Sequence, residues 1–254
     1  VTVAGLLAVS LAQVGTYGAA YSTAYLASTV LLLGLGAMTL SSLADVAERG
    51  RGEVLTRWRA LLAYTSAVSF PPLVIGSAVA PEVMRVLYGP LADDGSAAAF
   101  MIAVCAALCL QRAMGAGTNY ALLTVLHTNR AIARSVLVSL VTRLLPALAL
   151  MPLLGMWAAV LGAFVSYAAT SGYVLWVIKA QTGAGIDVAD QLLLFVVSLA
   201  GGALTWGAVS LLGIGDLIAL VVACLVGAAT VAVSLWVCRI RTREGVAGEH
   251  PAVA

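Results

Sequence analysis

Charged side chains are scarce in this chain of 254 residues: Asp, Glu, Lys and Arg together make up 9% of it. Soluble domains carry about 25% charged residues, so this composition excludes an ordinary soluble globular protein. A disordered chain needs a far more polar sequence and is excluded as well. The formal net charge is only +2. Because no basic excess is present, we expect no nucleic-acid partner.

Histidine and cysteine are also rare, with 2 and 4 residues. None of the cysteines has the spacing to histidine that a zinc site requires. Cys105 and Cys109, one helical turn apart, fit either a metal pair or apolar packing, and we favour packing. Asp93–Gly95 fits an acidic binding site or a solvated turn, and we favour the turn. No nucleophile–base pair or glycine-rich phosphate loop is present, so we expect no enzyme, no cofactor and no metal.

Apolar residues dominate instead, at 62% of the chain with a mean hydropathy of +1.06. A helix that crosses a bilayer needs about 20 apolar residues. The continuous Leu-, Ala- and Val-rich runs argue against transmembrane strands, which alternate in polarity. We predict an all-α, polytopic transmembrane helix bundle. Its runs, the first one truncated, are Val3–Val14, Gly18–Leu43, Ala60–Ala80, Ser96–Leu126, Ser135–Leu153, Met156–Ile178, Leu192–Leu212 and Leu217–Cys238.

The basic residues alternate from loop to loop. Ten of them fall in every second loop and in the tail, and only Arg85 falls in the loops between. Since basic loops stay in the cytoplasm, we expect Ala44–Arg59 and the C-terminus to be cytoplasmic and Pro81–Gly95 to be external. The ten are Arg49, Arg51, Arg57, Arg59, Arg130, Arg134, Lys179, Arg239, Arg241 and Arg243.

The first and last residues of the chain lead to two further predictions. The chain starts at Val1 without a basic segment before its first apolar run. This pattern favours a fragment that begins inside a helix over a cleavable signal peptide. At the other end, Glu244–Ala254 is small and polar, and we expect a disordered cytoplasmic tail. Residues 1–243 then form one membrane domain.

Arg112 and Arg143 each interrupt the middle of an apolar run. A cation at the bilayer centre costs at least about 2.5 kcal/mol, so it usually faces a bundle interior or a wet cavity. Counted from the short turn that joins the two runs, the depths of the arginines differ by about 6 Å. Two arginines at similar depth suit a phosphate or a pyrophosphate. The alternative is structural, with each arginine snorkelling or donating to carbonyl groups.

Polar residues accompany both arginines. Arg112, Gly115 and Asn119 fall on one helical stripe, with Gln111 beside it. On the next run Ser139 lies one turn before the second arginine. We therefore predict that Gln111, Asn119 and Ser139 line a substrate cavity together with the two arginines.

Three tyrosines recur at helical spacing in the second run. Tyr17, Tyr21 and Tyr25 lie at i, i+4 and i+8. This stripe fits a cavity-lining face, and we include Tyr25 among the substrate-binding candidates. An aromatic belt at the outer interface is the simpler interpretation of Tyr17 and Tyr21.

Four segments resemble one family of exporters. They are "VGTYGAAYSTAYL" (Val14–Leu26), "RGRGEVLTRWRALLAYT" (Arg49–Thr65), "APEVMRVLYG" (Ala80–Gly89), and Asn119–Tyr167 with its short basic turn and "LMPLLGMWAAV". Over roughly residues 10–180 the chain resembles the C-terminal half of the polysaccharide flippases (Wzx-type, O-antigen and teichuronic-acid exporters). These belong to the multidrug/oligosaccharidyl-lipid/polysaccharide exporter superfamily.

The resemblance implies a function and a location. It implies a flippase in the bacterial cytoplasmic membrane that moves an undecaprenyl-pyrophosphate-linked oligosaccharide to the outer leaflet. It also implies one lobe of a two-lobe alternating-access transporter, with the N-terminal lobe missing and acting as partner. A multidrug or cation antiporter of the same superfamily is the main alternative, although no acidic residue lies within an apolar run. A membrane-embedded enzyme of sugar-lipid metabolism and a non-transporting scaffold are further alternatives.

Overall fold

The fold is entirely helical within the part of the chain that the computed structural model describes, which comprises residues 9–29, 33–89 and 95–248. No strand occurs among these residues, and the predicted all-α class is confirmed. The helices are α1 (Leu11–Thr29), α2 (Leu33–Ala47), α3 (Arg51–Ala78), α4 (Ala80–Tyr88), α5 (Ser96–Ala113), α6 (Thr118–Val125), α7 (Asn129–Leu154), α8 (Trp157–Thr182), α9 (Val188–Leu212) and α10 (Asp216–Gly248).

Six helical segments of the described residues are long and apolar enough to cross a membrane. They are α3, the consecutive pair α5–α6, α7, α8, α9, and α10 as far as Ile240. Each of them overlaps a predicted run, although α3 begins at Arg51, within the segment Ala44–Arg59 that we predicted as a loop. The chain is therefore a multi-pass membrane protein.

The first two predicted runs differ from the structure. A break was expected between Val14 and Gly18, but α1 continues through both residues, so that prediction is wrong. The hydroxyls of Thr16 and Thr23 donate to the carbonyls of Ala12 and Ala19, one turn earlier. Because these polar side chains are satisfied within the helix, they do not interrupt it. The start of the first predicted run, residues 1–8, lies outside the described residues.

The run predicted at Ser96–Leu126 is divided. Helix α5 ends at Ala113, and α6 begins at Thr118. Gly115 and Gly117 take positive φ angles of 79° and 90° in the turn between them, a conformation that glycine adopts without steric cost. Helix α1 packs along α5 and α2 along α6, so the pair α1–α2 follows the whole length of this divided span.

Helix α3 lies at the centre of the bundle. It contacts α5 and α1 on one side and α9 and α10 on the other. Its side chains Trp58, Phe70 and Leu73 are fully buried. Helix α7 is peripheral, because it packs mainly against α8.

The two ends of the bundle are chemically different. At one end Arg51 donates to the carbonyl of Gln181 at 2.7 Å, which joins the start of α3 to the end of α8. At the other end Arg85 pairs with Asp216 at 3.3 Å, which joins α4 to α10. Helix α10 extends to Gly248, into the predicted tail, and residues 249–254 lie outside the described part.

Candidate functional site

Arg143 lies in the middle of α7 and packs on an aromatic ring. Its guanidinium carbon is 5.7 Å from the ring centroid of Tyr21 on α1, within the range of a cation–π interaction. Tyr17 and Tyr167 also interact electrostatically with this guanidinium. The charge is therefore accommodated by aromatic groups from two other helices.

Arg112 lies in the last turn of α5, directly before the turn that divides this span. Its guanidinium interacts electrostatically with Tyr25 and Tyr167. Since Tyr167 of α8 neighbours both arginines, the two cations belong to one group of side chains. We call this group the arginine–tyrosine cluster: Arg112, Arg143, Tyr21, Tyr25 and Tyr167.

The cluster has unused capacity to bind an anion. The Nε atom of Arg112 is buried and has no hydrogen-bond partner among the described residues. Among the described residues, the groups that interact electrostatically with these two guanidiniums are tyrosines, and none of them is a carboxylate. A buried guanidinium N–H without an acceptor is unfavourable, and an anionic oxygen would satisfy it.

A small cavity of about 80 Å³ adjoins the cluster. Its lining includes Gln111, Asn119 and Ser139, three of the residues that we predicted to meet, together with Tyr167. Water occupies about 30 Å³ per molecule in the liquid, so this space has room for two or three waters or for one small polar group.

Asn119 has a structural role that the sequence did not reveal. Its Oδ1 accepts a hydrogen bond from Trp58 Nε1 at 3.1 Å, and its Nδ2 donates to the carbonyl of Met114 at 2.7 Å. The stripe expected of a continuous helix is wrong, because the turn at Gly115 separates Asn119 from Arg112. The amide of Asn119 therefore stabilises the division between α5 and α6.

Helices α7 and α8 approach closely beside Arg143. A Cβ atom added to Gly162 would lie 2.6 Å from the Arg143 carbonyl oxygen and 3.2 Å from Ala147 Cβ. One turn earlier on α7, the hydroxyls of Ser139 and Ser166 are 3.0 Å apart. The glycine and this hydroxyl pair together set the position of the Arg143 backbone.

Of the three tyrosines in the α1 stripe, Tyr17 and Tyr21 are partly buried and Tyr25 is exposed. Tyr25 is 44% exposed and stacks on Tyr21, with ring centroids 5.9 Å apart and an interplanar angle of 10°. Tyr17 packs edge-on against Phe100 of α5 at 5.8 Å. Tyr17 and Tyr21 both pack against neighbouring helices near Arg143, and their place in an outer aromatic belt stays a prediction.

Tyr167 is the cluster residue that sequence reasoning missed. It lies on α8 among Ser166, Thr170 and Ser171, which form a polar stretch inside an apolar run. That stretch was a usable signal, since hydroxyl residues gathered on one transmembrane helix often face a polar interior.

Comparison with known proteins gave no match: no protein-family model, no curated protein and no solved structure matches the chain.

Proposed function

We propose that this chain is the cation-bearing lobe of a flippase that moves an undecaprenyl-pyrophosphate-linked oligosaccharide across the bacterial cytoplasmic membrane. The observation that carries the proposal is the arginine–tyrosine cluster. Arg112 and Arg143, on separate helices, both interact electrostatically with Tyr167, and the buried Nε of Arg112 has no partner within the described residues. A pyrophosphate supplies the acceptors and the negative charge that this group needs.

In this mechanism the arginines hold the pyrophosphate and the lipid tail stays in the bilayer. Each guanidinium offers planar N–H pairs that match two phosphate oxygens. Tyr25 is half-exposed at the edge of the cluster, where an aromatic face can pack against the first sugar. A second lobe encloses the cluster from the side of α1 and α7, and rocking of the two lobes exposes it alternately to each side of the membrane.

The test replaces Arg112 and Arg143 by Ala in the native gene, which is then expressed in a flippase-deficient bacterial strain. Loss of a charge-assisted contact costs on the order of 1.5–3 kcal/mol, so each single variant should lose export about tenfold or more. Arg→Lys should recover part of it, because the charge remains while the planar fork is lost. Arg134→Ala, on the exposed part of α7, is the matched control and should export normally.

Membrane abundance is measured in parallel, so that loss of export is separated from loss of protein. Normal export by the double Arg→Ala variant at normal abundance would show that the cluster does not hold the substrate. Export that falls only in proportion to abundance would assign both arginines a purely structural role.

A further inference from the structure

A second and larger cleft lies away from the arginine–tyrosine cluster, on the opposite side of α3. Its volume is about 940 Å³, and it is formed by the starts of α3 and α9 and by the distal part of α10. These helix ends belong to the basic end of the bundle. The charged side chains that line it are Glu53, Arg57, Arg59, Asp187 and Asp190, and Thr56, Tyr64 and Gln191 are the uncharged polar ones.

The lining changes from polar to apolar with depth. On α9, Asp187 and Gln191 lie at the mouth, and Leu194 follows about 10 Å deeper than Asp187 at 1.5 Å per residue. On α3 the charged residues of the first turns give way to Ala63 and Tyr64. A cleft with a charged mouth and an apolar floor, at the end of a membrane bundle, fits an amphiphile and not a small soluble ion.

Gln191 is a polar group in the wall of the cleft whose amide oxygen is unsatisfied. Its side chain lines the cleft and is only 7% exposed, and its Oε1 is buried without a hydrogen-bond partner among the described residues. An amide oxygen buried without a donor is unfavourable, so a ligand N–H or O–H group is expected beside it.

The charges at the mouth have both signs. Arg57 and Arg59 use Nε for Ser42 Oγ and for the Gly185 carbonyl. Each arginine has five N–H donors, so the terminal nitrogens can still bind a phosphate. The carboxylate of Glu53 and the amide oxygen of Gln191 are acceptors suited to an ammonium group.

We propose that this cleft binds one zwitterionic aminophospholipid from the leaflet at the basic end of the bundle. The phosphate lies against Arg57 and Arg59, and the ammonium group donates to Gln191 Oε1. The acyl chains pass over Leu194 toward the outer face of α9, where Leu192 and Val196 are more than half exposed. This inference is independent of the substrate proposed above.

The test measures lipid binding by native mass spectrometry of the purified chain. Dioleoyl-phosphatidylethanolamine and dioleoyl-phosphatidylglycerol are titrated separately. The chain should retain one phosphatidylethanolamine, with an affinity about tenfold above that for phosphatidylglycerol, since the second lipid has no ammonium group to donate to Gln191. Equal retention of the two lipids would overturn the proposal.

Two variants of Gln191 test whether its side chain accepts a hydrogen bond from the ammonium group. Gln191→Leu should lower the affinity for phosphatidylethanolamine about tenfold, whereas Gln191→Glu should keep it, because a carboxylate also accepts from ammonium. Gln181→Leu is the matched control at the same end of the bundle, outside the cleft, and should bind as the parent does. Parent-like binding by Gln191→Leu would contradict the assignment.

Two further measurements cover folding and the source of the headgroup. Arg57 is exposed, so Arg57→Gln should fold normally and still lose affinity for the lipid. Unchanged affinity in this variant would overturn the phosphate contact.

Soluble phosphoethanolamine should not compete with the lipid at equal concentration. If it does, the apolar floor contributes nothing and the ligand is not a phospholipid.

Discussion

Most hydroxyl groups inside this bundle are satisfied by their own helix. The hydroxyls of Thr65 and Ser198, for example, donate to carbonyls one turn earlier, which is the usual solution where water is absent. Asn119 instead joins two helices and a turn, and Arg112 keeps an unsatisfied N–H. At the scale of the residue, Asn119 marks a structural joint, and Arg112 belongs to the cluster that we propose to bind substrate. Other buried side-chain atoms without a partner among the described residues belong to Ser66, Thr170, Gln191 and Ser234.

Replacing Asn119 should destabilise the fold. Asn119→Leu leaves the Trp58 N–H and the Met114 carbonyl without partners, and each buried unpaired group costs about 1–3 kcal/mol. We expect the free energy of unfolding to fall by at least about 2 kcal/mol, measured by titrating SDS into the protein in mild detergent. Asn129→Leu, at the exposed start of α7, should change it little. Equal stability of the two variants would mean that the Asn119 bonds do not hold the turn.

At the scale of the element, close packing of neighbouring helices depends on a few glycines. Gly162 lets α7 approach α8 at Arg143, and Gly201 lets α9 approach α10 at Thr230, where an added Cβ would lie 2.5 Å from the threonine hydroxyl. Small residues at helix contacts are the usual means of association in membranes, since apolar side chains gain little by leaving lipid. The missing Cβ atoms of Gly162 and Gly201 thus allow the facing helices to come this close.

Gly162→Ala should push α7 away from α8. The new methyl group would meet the Arg143 carbonyl oxygen at 2.6 Å, and a backbone atom cannot rotate aside. Overpacking of this kind costs about 1–3 kcal/mol, so the same SDS titration should show a loss of stability. Gly172→Ala, on the same helix with nothing within 4 Å, should be neutral or gain up to about 1 kcal/mol from helix propensity. A parent-like Gly162→Ala variant would show that the contact is not tight.

The helical runs were predictable and their interruptions were not. Long apolar segments such as α8 and α9 follow from hydropathy alone, because a bilayer demands about 20 apolar residues. The turn at Gly115 has no such signal, since glycine is common in transmembrane helices and the flanking residues are equally apolar. A shared site for Arg112 and Arg143 stays a prediction from their depths, and both guanidiniums interact electrostatically with Tyr167. The position of Tyr167 depends on how α8 is rotated against α5 and α7, and we drew no prediction of it from the sequence.

The whole molecule is asymmetric in two directions. Along the bundle axis, basic residues gather at the end where Arg51 meets Gln181, and the opposite end carries the Arg85–Asp216 pair. Across the bundle, α3 separates the arginine–tyrosine cluster from the charged cleft at α9 and α10. The first asymmetry predicts the orientation of the protein in its membrane, and the second separates the two binding sites that we propose.

The orientation can be tested at the two ends of one helix. Gly185 precedes α9 and Gly215 follows it. Both are exposed, and a Cβ at either would meet nothing within 4 Å. Since basic loops are retained in the cytoplasm, a membrane-impermeant maleimide applied to intact cells should label Gly215→Cys and spare Gly185→Cys. Permeabilised cells should label both, with the parent chain as the blank, because three of its four cysteines are buried and Cys224 lies within the α10 span. Labelling of Gly185→Cys alone in intact cells would invert the topology and place the charged cleft in the outer leaflet.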